Sequence, residues 1–364
     1  MNVTGLSWMT FRLPLRAPFR TAKGVMTHRE GLLLRLMTAS GAVGLGEASP
    51  HPAAGPGAAR ELDEALARVG AQFIGADVEC LPDAGLPPPL ACAIDTAALD
   101  LLAKERDISV AALLSERPQS SVAVNATIAV ERDDEAADEA RAARQAGFSC
   151  VKLKAGMLGS VEEECRRVAA VRRALGLDVR LRIDVNGAWS VKQAIATIEA
   201  FEEFRLEFVE QPVAAGDLEG MQRVRQAVRT AIAVDESITS LEAARRVLAL
   251  EAAQILVVKP MVVGGLRPAQ RIADVARKAG VATVITTTID AGVGTAAALH
   301  LAATLPEDGP ACGLATGVLL AGDIVAEPLS IREGRMTVPR APGLGVELDA
   351  TMLAQYCGAE RTLP

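Results

Sequence analysis

The sequence predicts an α/β barrel of the TIM type with a smaller α+β unit attached to it. Three observations support this prediction. From about residue 120, short apolar runs alternate with amphipathic segments. Before that point, a hairpin pattern is followed by helical periodicity. Most of the apolar runs end in a charged residue, and these residues recur at nearly constant intervals.

The N-terminal part of the chain, residues 1–118, is predicted to form the α+β unit. In GLLLRLMTASGAVGLGEAS, a turn at Ser40 and Gly41 separates two strand-like segments, which is typical of a hairpin. Residues 58–114 have helical periodicity, for example in AIDTAALDLLAKE, and the loop LPDAGLPPPL at residues 81–90 interrupts it.

Residues 119–324 are predicted to form the barrel. Seven apolar runs follow one another: SVAVNATIAV, SCVKLKA, VRLRIDVN, EFVEQP, TAIAVDES, QILVVKP and TVITTTID. Helical segments such as VEEECRRVAAVRRALG separate them, as in a parallel sheet covered by helices. The run around ACGLATG makes eight units, the number in a closed barrel. The last segment, residues 325–364, is predicted to return to the N-terminal unit through pieces such as AEPLSIREGRMTVP.

Composition narrows the class of protein. The chain has 364 residues, 50% of them hydrophobic and only 3% aromatic, so the core must consist of Ala, Val, Leu and Ile. A net charge of −7 without a basic run argues against a nucleic-acid partner. The six cysteines form no CxxC pair, which favours reduced core residues in a cytoplasmic protein. No apolar stretch of about 18 residues indicates a membrane span, and we expect no membrane partner.

Charged residues close five consecutive strands. Lysines end the second and sixth strands, and carboxylates end the third, fourth and fifth; from the first carboxylate to the last lysine the intervals are 26, 25 and 24 residues. In chain order these residues are Lys152 and Lys154, Asp184, Glu210, Asp235 and Lys259. One strand–helix unit has about this length, so the residues take corresponding places and meet at the C-terminal mouth of the barrel, where active sites lie.

The three carboxylates predict a metal site. Asp184, Glu210 and Asp235 would repel one another unless a cation lay between them. Oxygen ligands without His or Cys favour a hard divalent ion, Mg²⁺ before Mn²⁺. Each acid alone could be a solvated loop residue or a helix cap, but three at regular intervals favour the metal site.

The lysines predict a base. Lys152 and Lys154 are separated by one residue on a strand and therefore point to the same side, into the mouth. Two adjacent ammonium groups are expected to depress each other's pKa and prepare one as a neutral base. Lys259 is expected across the opening, although lysines at strand ends often only extend to water. A metal at a substrate carboxylate and a nearby base suit removal of the α-proton through an enediolate.

In order, the motifs GLGEASP, VKLKAG, IDVNGAW, VEQP, AVDES and VVKPMVVGG resemble the enolase superfamily, muconate-lactonizing subgroup. The resemblance covers nearly the whole chain. It implies a modified (β/α)7β barrel with an α+β capping domain formed by the N-terminal region and the C-terminal segment, and it implies Mg²⁺. It also implies that Lys154 is the base, Lys152 its electrostatic partner and Lys259 the acid, base or cation on the opposite face.

Within the subgroup, FRTAKGVMTHREGLLLRL, GEASPHP, VNATIAV and CGLATG are most similar to o-succinylbenzoate synthases. That similarity implies dehydration of 2-succinyl-6-hydroxy-2,4-cyclohexadiene-1-carboxylate in menaquinone synthesis. The alternatives are an N-succinylamino acid racemase or a dipeptide epimerase, and then a muconate cycloisomerase. Similar dipeptide epimerases have an Asp-x-Asp motif where this chain has Gly313, Leu314 and Ala315, so a substrate ammonium would find no partner there.

Further residues are predicted around the site. Asn186 would support the metal shell, and Glu236 would face away from the mouth because it follows Asp235. Asp290 stands where much of the subgroup has Glu. The others are expected in the segments that cover the substrate or bend around it, with a surface position or a plain turn as the alternative: Thr21, Lys23, His51, Gly264 and Gly265.

Two other classes are less well supported. A metabolite-binding barrel without catalysis would lack a base or a metal ligand, and the sequence has candidates for both. An acid-sugar dehydratase would have a His-Asp dyad at the mouth, whereas His300 in TAAALHLAAT is predicted to be buried in a helix. The sequence leaves the exact small carboxylate substrate and the oligomeric state open, a homo-oligomer included.

Overall fold

A computed structural model of the chain describes residues 1–21, 24–82, 85–156 and 160–363. It contains an antiparallel sheet, a curled parallel sheet and a small third sheet. The strands are β1 Val3–Thr21, β2 Gly24–Thr38, β3 Val43–Ala48, β4 Ser121–Ala123, β5 Ala126–Ile128, β6 Cys150–Lys154, β7 Arg180–Asp184, β8 Phe208–Glu210, β9 Ile232–Val234, β10 Ile255–Val258, β11 Ala282–Ile285, β12 Ile331–Arg332, β13 Arg335–Thr337 and β14 Arg361–Leu363.

The helices lie mainly between the strands of the parallel sheet. They are α1 Ala58–Val69, α2 Pro88–Glu105, α3 Val110–Leu114, α4 Asp133–Gln145, α5 Val161–Leu175, α6 Val191–Phe201, α7 Leu218–Ala227, α8 Leu241–Ala249, α9 Pro260–Val263, α10 Leu266–Lys278, α11 Gly292–Ala302 and α12 Ala350–Tyr356. Side-chain caps start several of them. Ser160, Ser190 and Ser240 each accept a hydrogen bond from the backbone N–H three residues later, which satisfies a free donor of α5, α6 and α8.

The parallel sheet forms the predicted barrel. Its seven strands, β5 to β11, pair in chain order, and all residues of β8, β9 and β10 are buried. The eighth place is occupied by a short extended segment, which is bridged to Val124 through Cys312 and to Thr286 through Gly313. The first apolar run of the barrel is divided, because β4 pairs with β13 and only β5 continues into the parallel sheet.

The N-terminal unit is a sheet in the order β14–β1–β2–β3 with α1 and α2 against it, as the hairpin and the helical periodicity predict. The proline-rich loop ends earlier than predicted, since Pro88 and Pro89 start α2; proline suits the first turn of a helix. The sheet and α2 approach very closely at β3. An added Cβ on Gly46 would lie 2.0 Å from the carbonyl oxygen of Ala93.

The C-terminal segment only partly returns to the N-terminal unit. The hairpin β12–β13 within AEPLSIREGRMTVP pairs with β4, next to the barrel, because Met336 and Thr337 continue the ladder from Val122 and Ser121. The later residues do return: Gly343 bonds Ile108, and β14 pairs with β1. The boundaries at 118 and 324 stay predictions.

The structure also bears on the predictions about the cysteines and about membrane spans. All six cysteines are free, and Cys92, Cys150 and Cys312 are buried as predicted. Cys80 is exposed, contrary to the prediction, because it ends a short 3₁₀ helix, Val78–Cys80, of which only Val78 is buried. Within the described residues, no helix is both long enough and apolar enough to cross a membrane.

The close contact of β3 with α2 gives a stability prediction. Gly46→Ala would push a methyl group into the backbone of α2, and overpacking of this kind should lower the free energy of unfolding by about 3 kcal/mol. Gly216→Ala is the control, because an added Cβ there meets nothing within 4 Å; it should change stability by less than about 0.5 kcal/mol. Urea unfolding measures both, and equal stabilities would contradict the close contact.

Candidate active site

The predicted lysines and carboxylates meet at the C-terminal ends of neighbouring strands. In the pairing of β6, β7 and β8, Lys154 lies beside Asp184, and Asp184 lies beside Glu210. Asp235 follows β9 directly and Lys259 follows β10 directly. The carboxylates therefore occupy three adjacent positions around the mouth, with a lysine-bearing strand on each side, as the intervals in the sequence predict.

Lys152 and Lys154 share one carboxylate. The Nζ of Lys152 lies 2.9 Å from Asp184 Oδ2 and 3.1 Å from Glu210 Oε1. The Nζ of Lys154 donates to the same Asp184 oxygen at 2.7 Å. Both lysines of β6 thus point into the mouth, which confirms the prediction from their spacing.

On the other side, Lys259 binds Asp235. Its Nζ donates to the two carboxylate oxygens at 2.7 and 2.5 Å, and both side chains are largely buried. Pro260 begins α9 directly after this lysine, and its rigid ring suits the first position of that short helix. The backbone from which the Lys259 side chain extends is therefore fixed between β10 and α9.

The carboxylates decide the charge of the lysines. Burial alone would lower the pKa of Lys152, but attraction by Asp184 and Glu210 outweighs burial and raises it. Burial of Lys259 is likewise outweighed, by Asp235, and the pKa of that lysine is raised. The expectation that the β6 lysines depress each other's pKa is therefore wrong for Lys152, since two carboxylates contact its ammonium directly.

The pKa values of Asp184 and Glu210 shift in opposite directions. Burial would raise the pKa of Asp184, but Lys152 and Lys154 outweigh burial and hold that pKa well below its usual range. Burial and the charge of Asp184 raise the pKa of Glu210 to about 8. One strong anion and one carboxyl that readily keeps a proton thus stand side by side on β7 and β8.

The donor chemistry at this mouth fits a hard divalent cation. Asp184, Glu210 and Asp235 are 0%, 2% and 5% exposed, and they offer only oxygen ligands. In their present arrangement with the lysines, however, no three His, Cys, Asp or Glu side chains of the described residues are placed so that they could together hold a metal. The magnesium site therefore stays a prediction.

Asn186 and Glu236 extend the site from Lys154. The Nζ of Lys154 donates to Asn186 Oδ1 at 2.8 Å, and Asn186 Nδ2 donates to Glu236 Oε1 at 2.7 Å. The prediction that Glu236 faces away from the mouth is wrong. Strand β9 ends at Val234, so the alternation of sides no longer applies to the turn in which Glu236 lies.

Asp290 belongs to a buried network between the N-terminal unit and the barrel. Its Oδ1 accepts hydrogen bonds from the hydroxyl and the N–H of Thr288. Arg29 of β2 donates to Thr288 and to the carbonyl of Ile289, a residue with a φ of 66°. This left-handed conformation is rare for a β-branched residue, so Arg29 supports a strained turn at the mouth.

Glu47 completes this network and was not identified from the sequence, although GLGEASP contains it. Its carboxylate accepts from Ser49 and from the N–H groups of Ala291 and Gly294 at the start of α11. A residue of β3 thereby caps a helix of the barrel, where negative charge is favoured. Burial and the charge of Asp290 raise the pKa of Glu47 to about 7.

The remaining predicted residues lie as follows. His51 is exposed, as the alternative of a surface position predicts, and its Nδ1 accepts from Ala53 N–H. Desolvation by the surrounding protein, and then the charge of Lys259, lower its pKa to about 4, so the ring lies near the mouth. Gly264 and Gly265 form the turn between α9 and α10; an added Cβ on Gly265 would meet Asp95 of α2, which supports a turn rather than a substrate contact.

Three further expectations are resolved or fall outside the structure. His300 is buried, with Nδ1 accepting from Ala111 N–H and Nε2 donating to the carbonyl of Leu344, so its structural role is confirmed. Lys23 lies outside the described residues, and the side chain of Thr21 is not among those described.

Comparisons with known proteins agree on one family. Residues 5–115 match the mandelate racemase/muconate lactonizing enzyme N-terminal domain, and residues 135–352 match the enolase C-terminal domain-like family. The chain is 36% identical to an o-succinylbenzoate synthase of Thermobifida fusca, over 91% of this chain and 86% of that protein. It is 27% identical to an N-succinyl-L-Arg/Lys racemase of Bacillus cereus, over 98% of both proteins.

A solved structure is similar over the same length. The dipeptide epimerase of Enterococcus faecalis, in complex with Mg and the dipeptide L-Leu-L-Tyr, superposes with a TM-score of 0.89 at 27% identity. The alignment covers 95% of this chain and 99% of that one. These similar proteins are enzymes, and they include both a lyase-type synthase and isomerases.

The Glu47–Asp290 pair predicts a pH dependence of stability. Because the folded-state pKa of Glu47 is raised from 4.5 to about 7, the folded state binds more protons in this interval. Stability should therefore fall as pH rises from about 4.5 through 7. Asp290→Asn removes the repelling charge and should reduce this fall, by about 1.4 kcal/mol for each pKa unit lost. Thermal unfolding between pH 5 and 7.5 measures it.

The control for this comparison is Asp138→Asn, a change of an exposed acid on α4. This variant should keep the pH dependence of the parent protein. If Asp290→Asn and Asp138→Asn lost stability in parallel over the whole interval, the two buried carboxyls would not interact as described.

Proposed function

The chain belongs to the mandelate racemase/muconate lactonizing enzyme family of the enolase superfamily, and we propose that it catalyses magnesium-dependent removal of the proton α to a carboxylate. The observation that carries the proposal is the order of charges around the mouth. Lys152 and Lys154 end one strand, three carboxylates follow on the next three strands, and Lys259 closes the series. A base, an anion-stabilising cation and a set of metal ligands thus surround one opening.

Asp184, Glu210 and Asp235 are the residues that would hold Mg²⁺. They are the buried oxygen donors of the mouth, and a related enzyme was crystallised with Mg and its dipeptide. When bound, the ion would supply positive charge next to the carboxylate of the substrate. This charge stabilises the enediolate relative to the substrate that still carries its α-proton.

Lys154 takes the α-proton. It is the more exposed lysine of β6, with a side chain 24% exposed against 13% for Lys152, so a substrate in the mouth reaches it first. Lys152, whose ammonium contacts Asp184 and Glu210, stays charged and holds these carboxylates in place. Asn186 orients the Lys154 amine through its carbonyl oxygen.

Lys259 faces the substrate from the other side of the carboxylates. Attraction by Asp235 and Glu236 keeps its amine protonated, so that it stabilises the developing anion by its charge. In a dehydration Lys259 needs no further role: the proton that Lys154 has taken leaves with the hydroxyl group as water, and this loss aromatises the ring. In a racemisation Lys259 would return a proton to the opposite face of the α-carbon.

The specific reaction that we propose is o-succinylbenzoate synthesis, a carbon–oxygen lyase reaction of menaquinone synthesis, carried out in the cytoplasm. The similarity to the Thermobifida fusca synthase supports it, at 36% identity over 91% of this chain. The substrate is 2-succinyl-6-hydroxy-2,4-cyclohexadiene-1-carboxylate.

Racemisation of N-succinylamino acids is the second candidate. Lys154 and Lys259 on opposite sides of the carboxylates are what a two-base reaction needs, and the Bacillus cereus racemase is similar over its full length. Free dipeptides fit less well. At the eighth strand position this chain has Gly313 and the fully buried Leu314. Neither residue has a side-chain carboxylate that could bind a substrate ammonium.

A direct comparison of substrates distinguishes the two candidates. With Mg²⁺, the purified protein should convert the cyclohexadiene substrate, measured by ultraviolet absorbance, with a kcat at least ~10-fold above that for N-succinylamino acids. A tenfold difference in kcat corresponds to a difference of ~1.4 kcal/mol in activation free energy between the two substrates. Proton NMR in D₂O follows α-deuteration of the succinylamino acids. Exchange of these compounds without turnover of the first would reject the synthase and retain the racemase.

The base assignment predicts the effect of a single substitution. Lys154→Ala should lower kcat by roughly 10²–10⁴-fold, the usual contribution of a positioned general base. Lys278→Ala is the matched control, because this exposed lysine ends α10, just before β11 and at the end of the barrel opposite the mouth. Normal turnover by a folded Lys154→Ala variant, checked by circular dichroism, would refute the assignment.

A further inference from the structure

Behind the end of β6 lies a buried ion pair of α5 that the chemistry described so far does not use. Arg167 is 0% exposed and Glu164 is 3% exposed. They stand three residues apart on the helix, and Arg167 Nη2 lies 2.8 Å from Glu164 Oε2. The periodicity of VEEECRRVAAVRRALG predicts an amphipathic helix, but it does not show that these two charges face inward.

The pair is bonded to the backbone of the two strands at the mouth. Arg167 Nη2 donates to the carbonyl of Lys154 at 2.7 Å, and Nη1 donates to the carbonyl of Val130, just after β5, at 2.9 Å. Glu164 Oε1 accepts from the N–H of Gly156 at 2.7 Å. One ion pair therefore holds the main chain at Lys154 and two residues after it, and ties it to the segment that follows the neighbouring strand.

Gly156 shows how tightly this segment is placed. Its φ is +82°, and an added Cβ would lie 3.0 Å from Ala188 and 3.1 Å from Val185 in the loop after β7. The backbone that follows Lys154 is thus packed against the segment carrying Asn186, while Glu164 holds it from the other side. Both supports act on the main chain from which the long Lys154 side chain extends.

A second buried arginine of α5 provides the comparison. Arg172 also donates to backbone carbonyls, those of Gly176, Val179 and Phe204. These residues precede β7 and β8, at the end of the barrel opposite the mouth. Each arginine fixes main-chain carbonyls, but only Arg167 fixes those beside Lys154.

Energetics favour a positioning role for the pair over a stabilising one. Removing two charges from water is costly, and well-packed apolar residues are often at least as stabilising as a buried ion pair. Arg167 Nε has no hydrogen-bond partner in the described part of the chain, so even this guanidinium is incompletely satisfied. What the pair adds is directed hydrogen bonding to the ends of β5 and β6.

We propose that Arg167 and Glu164 are positioning residues, which hold the main chain of Lys154 so that its amine meets the α-carbon of the substrate. The inference rests on the proposed role of Lys154. A displacement of the base by about 1 Å can cost about 10²-fold in rate, because proton transfer depends steeply on geometry. Substrate binding depends on other groups and is affected less.

The test compares Arg167→Met with Arg172→Met in the full chain with Mg²⁺. Arg167→Met should lower kcat by about 10- to 100-fold with KM changed less than about threefold. Its deuterium isotope effect, measured with α-deuterated substrate, should rise because proton transfer becomes slower. Arg172→Met should lower the melting temperature but leave the kcat of the folded protein and the isotope effect unchanged.

Arg167→Lys covers the case in which the methionine variant fails to fold. A lysine can reach one carbonyl but cannot span both, so the kcat of this variant should lie between those of the parent and of Arg167→Met. If Arg167 were only structural, both methionine variants would lose activity in proportion to the unfolded fraction, with an unchanged isotope effect. That result would overturn the inference.

Amide hydrogen exchange separates failure of this inference from failure of the proposed function, since it needs no substrate. In Arg167→Met or Arg167→Lys, exchange in residues 150–156 should accelerate by about tenfold or more, and in Arg172→Met the acceleration should instead appear in residues 176–180. Unchanged exchange in residues 150–156 overturns the inference whatever the reaction. If exchange there is faster but the Lys154→Ala variant keeps full turnover, Lys154 is not the base. The inference, which rests on that role, is then rejected as well.

Discussion

The mouth of the barrel depends on mutual neutralisation of buried carboxylates and lysines. Asp184 is fully buried, and its charge is tolerated because Lys152 and Lys154 both contact it. Asp235 is held in the same way by Lys259. A buried charge without a partner would cost several kcal/mol, so each side chain requires the others. The strand register that puts these residues side by side is therefore a condition for both stability and chemistry.

The N-terminal unit takes part in this arrangement through two charged side chains. Arg29 supports the strained turn at Ile289, and Glu47 caps α11, so that two strands of the antiparallel sheet hold the barrel segment carrying Asp290. On the far side of the site, Arg167 of α5 holds the main chain of Lys154. The lysines and carboxylates are thus supported from the capping unit and from a barrel helix.

The barrel, the N-terminal unit and the main charged residues were predictable, because the alternation of strands with helices and the length of one strand–helix unit are local properties of the sequence. Where regular structure ends, the predictions fail. Glu236 was misplaced because β9 stops at Val234, and the hairpin near Arg335 was assigned to the wrong unit because strand pairing is not local. Mutual depression of the lysine pKa values was wrong for Lys152, since its carboxylate partners come from other strands.

The buried supports were missed for a similar reason. Glu164 and Arg167 read as one pair on an amphipathic helix, and nothing in their spacing says that the helix turns them toward the end of β6. Glu47 lies in a quoted motif, yet its role depends on α11, which is more than 240 residues away in the chain. Contacts of this kind come from tertiary packing, so only the structure reveals them.

Isothermal titration calorimetry tests whether the three carboxylates at the mouth form the proposed magnesium site. We expect the protein to bind one Mg²⁺ per chain and Asp184→Asn to abolish this binding, whereas Asp138→Asn on the surface of α4 should leave it unchanged. Absence of Mg²⁺ binding by the parent protein, or equal binding by the folded Asp184→Asn variant, would show that these carboxylates do not form such a site.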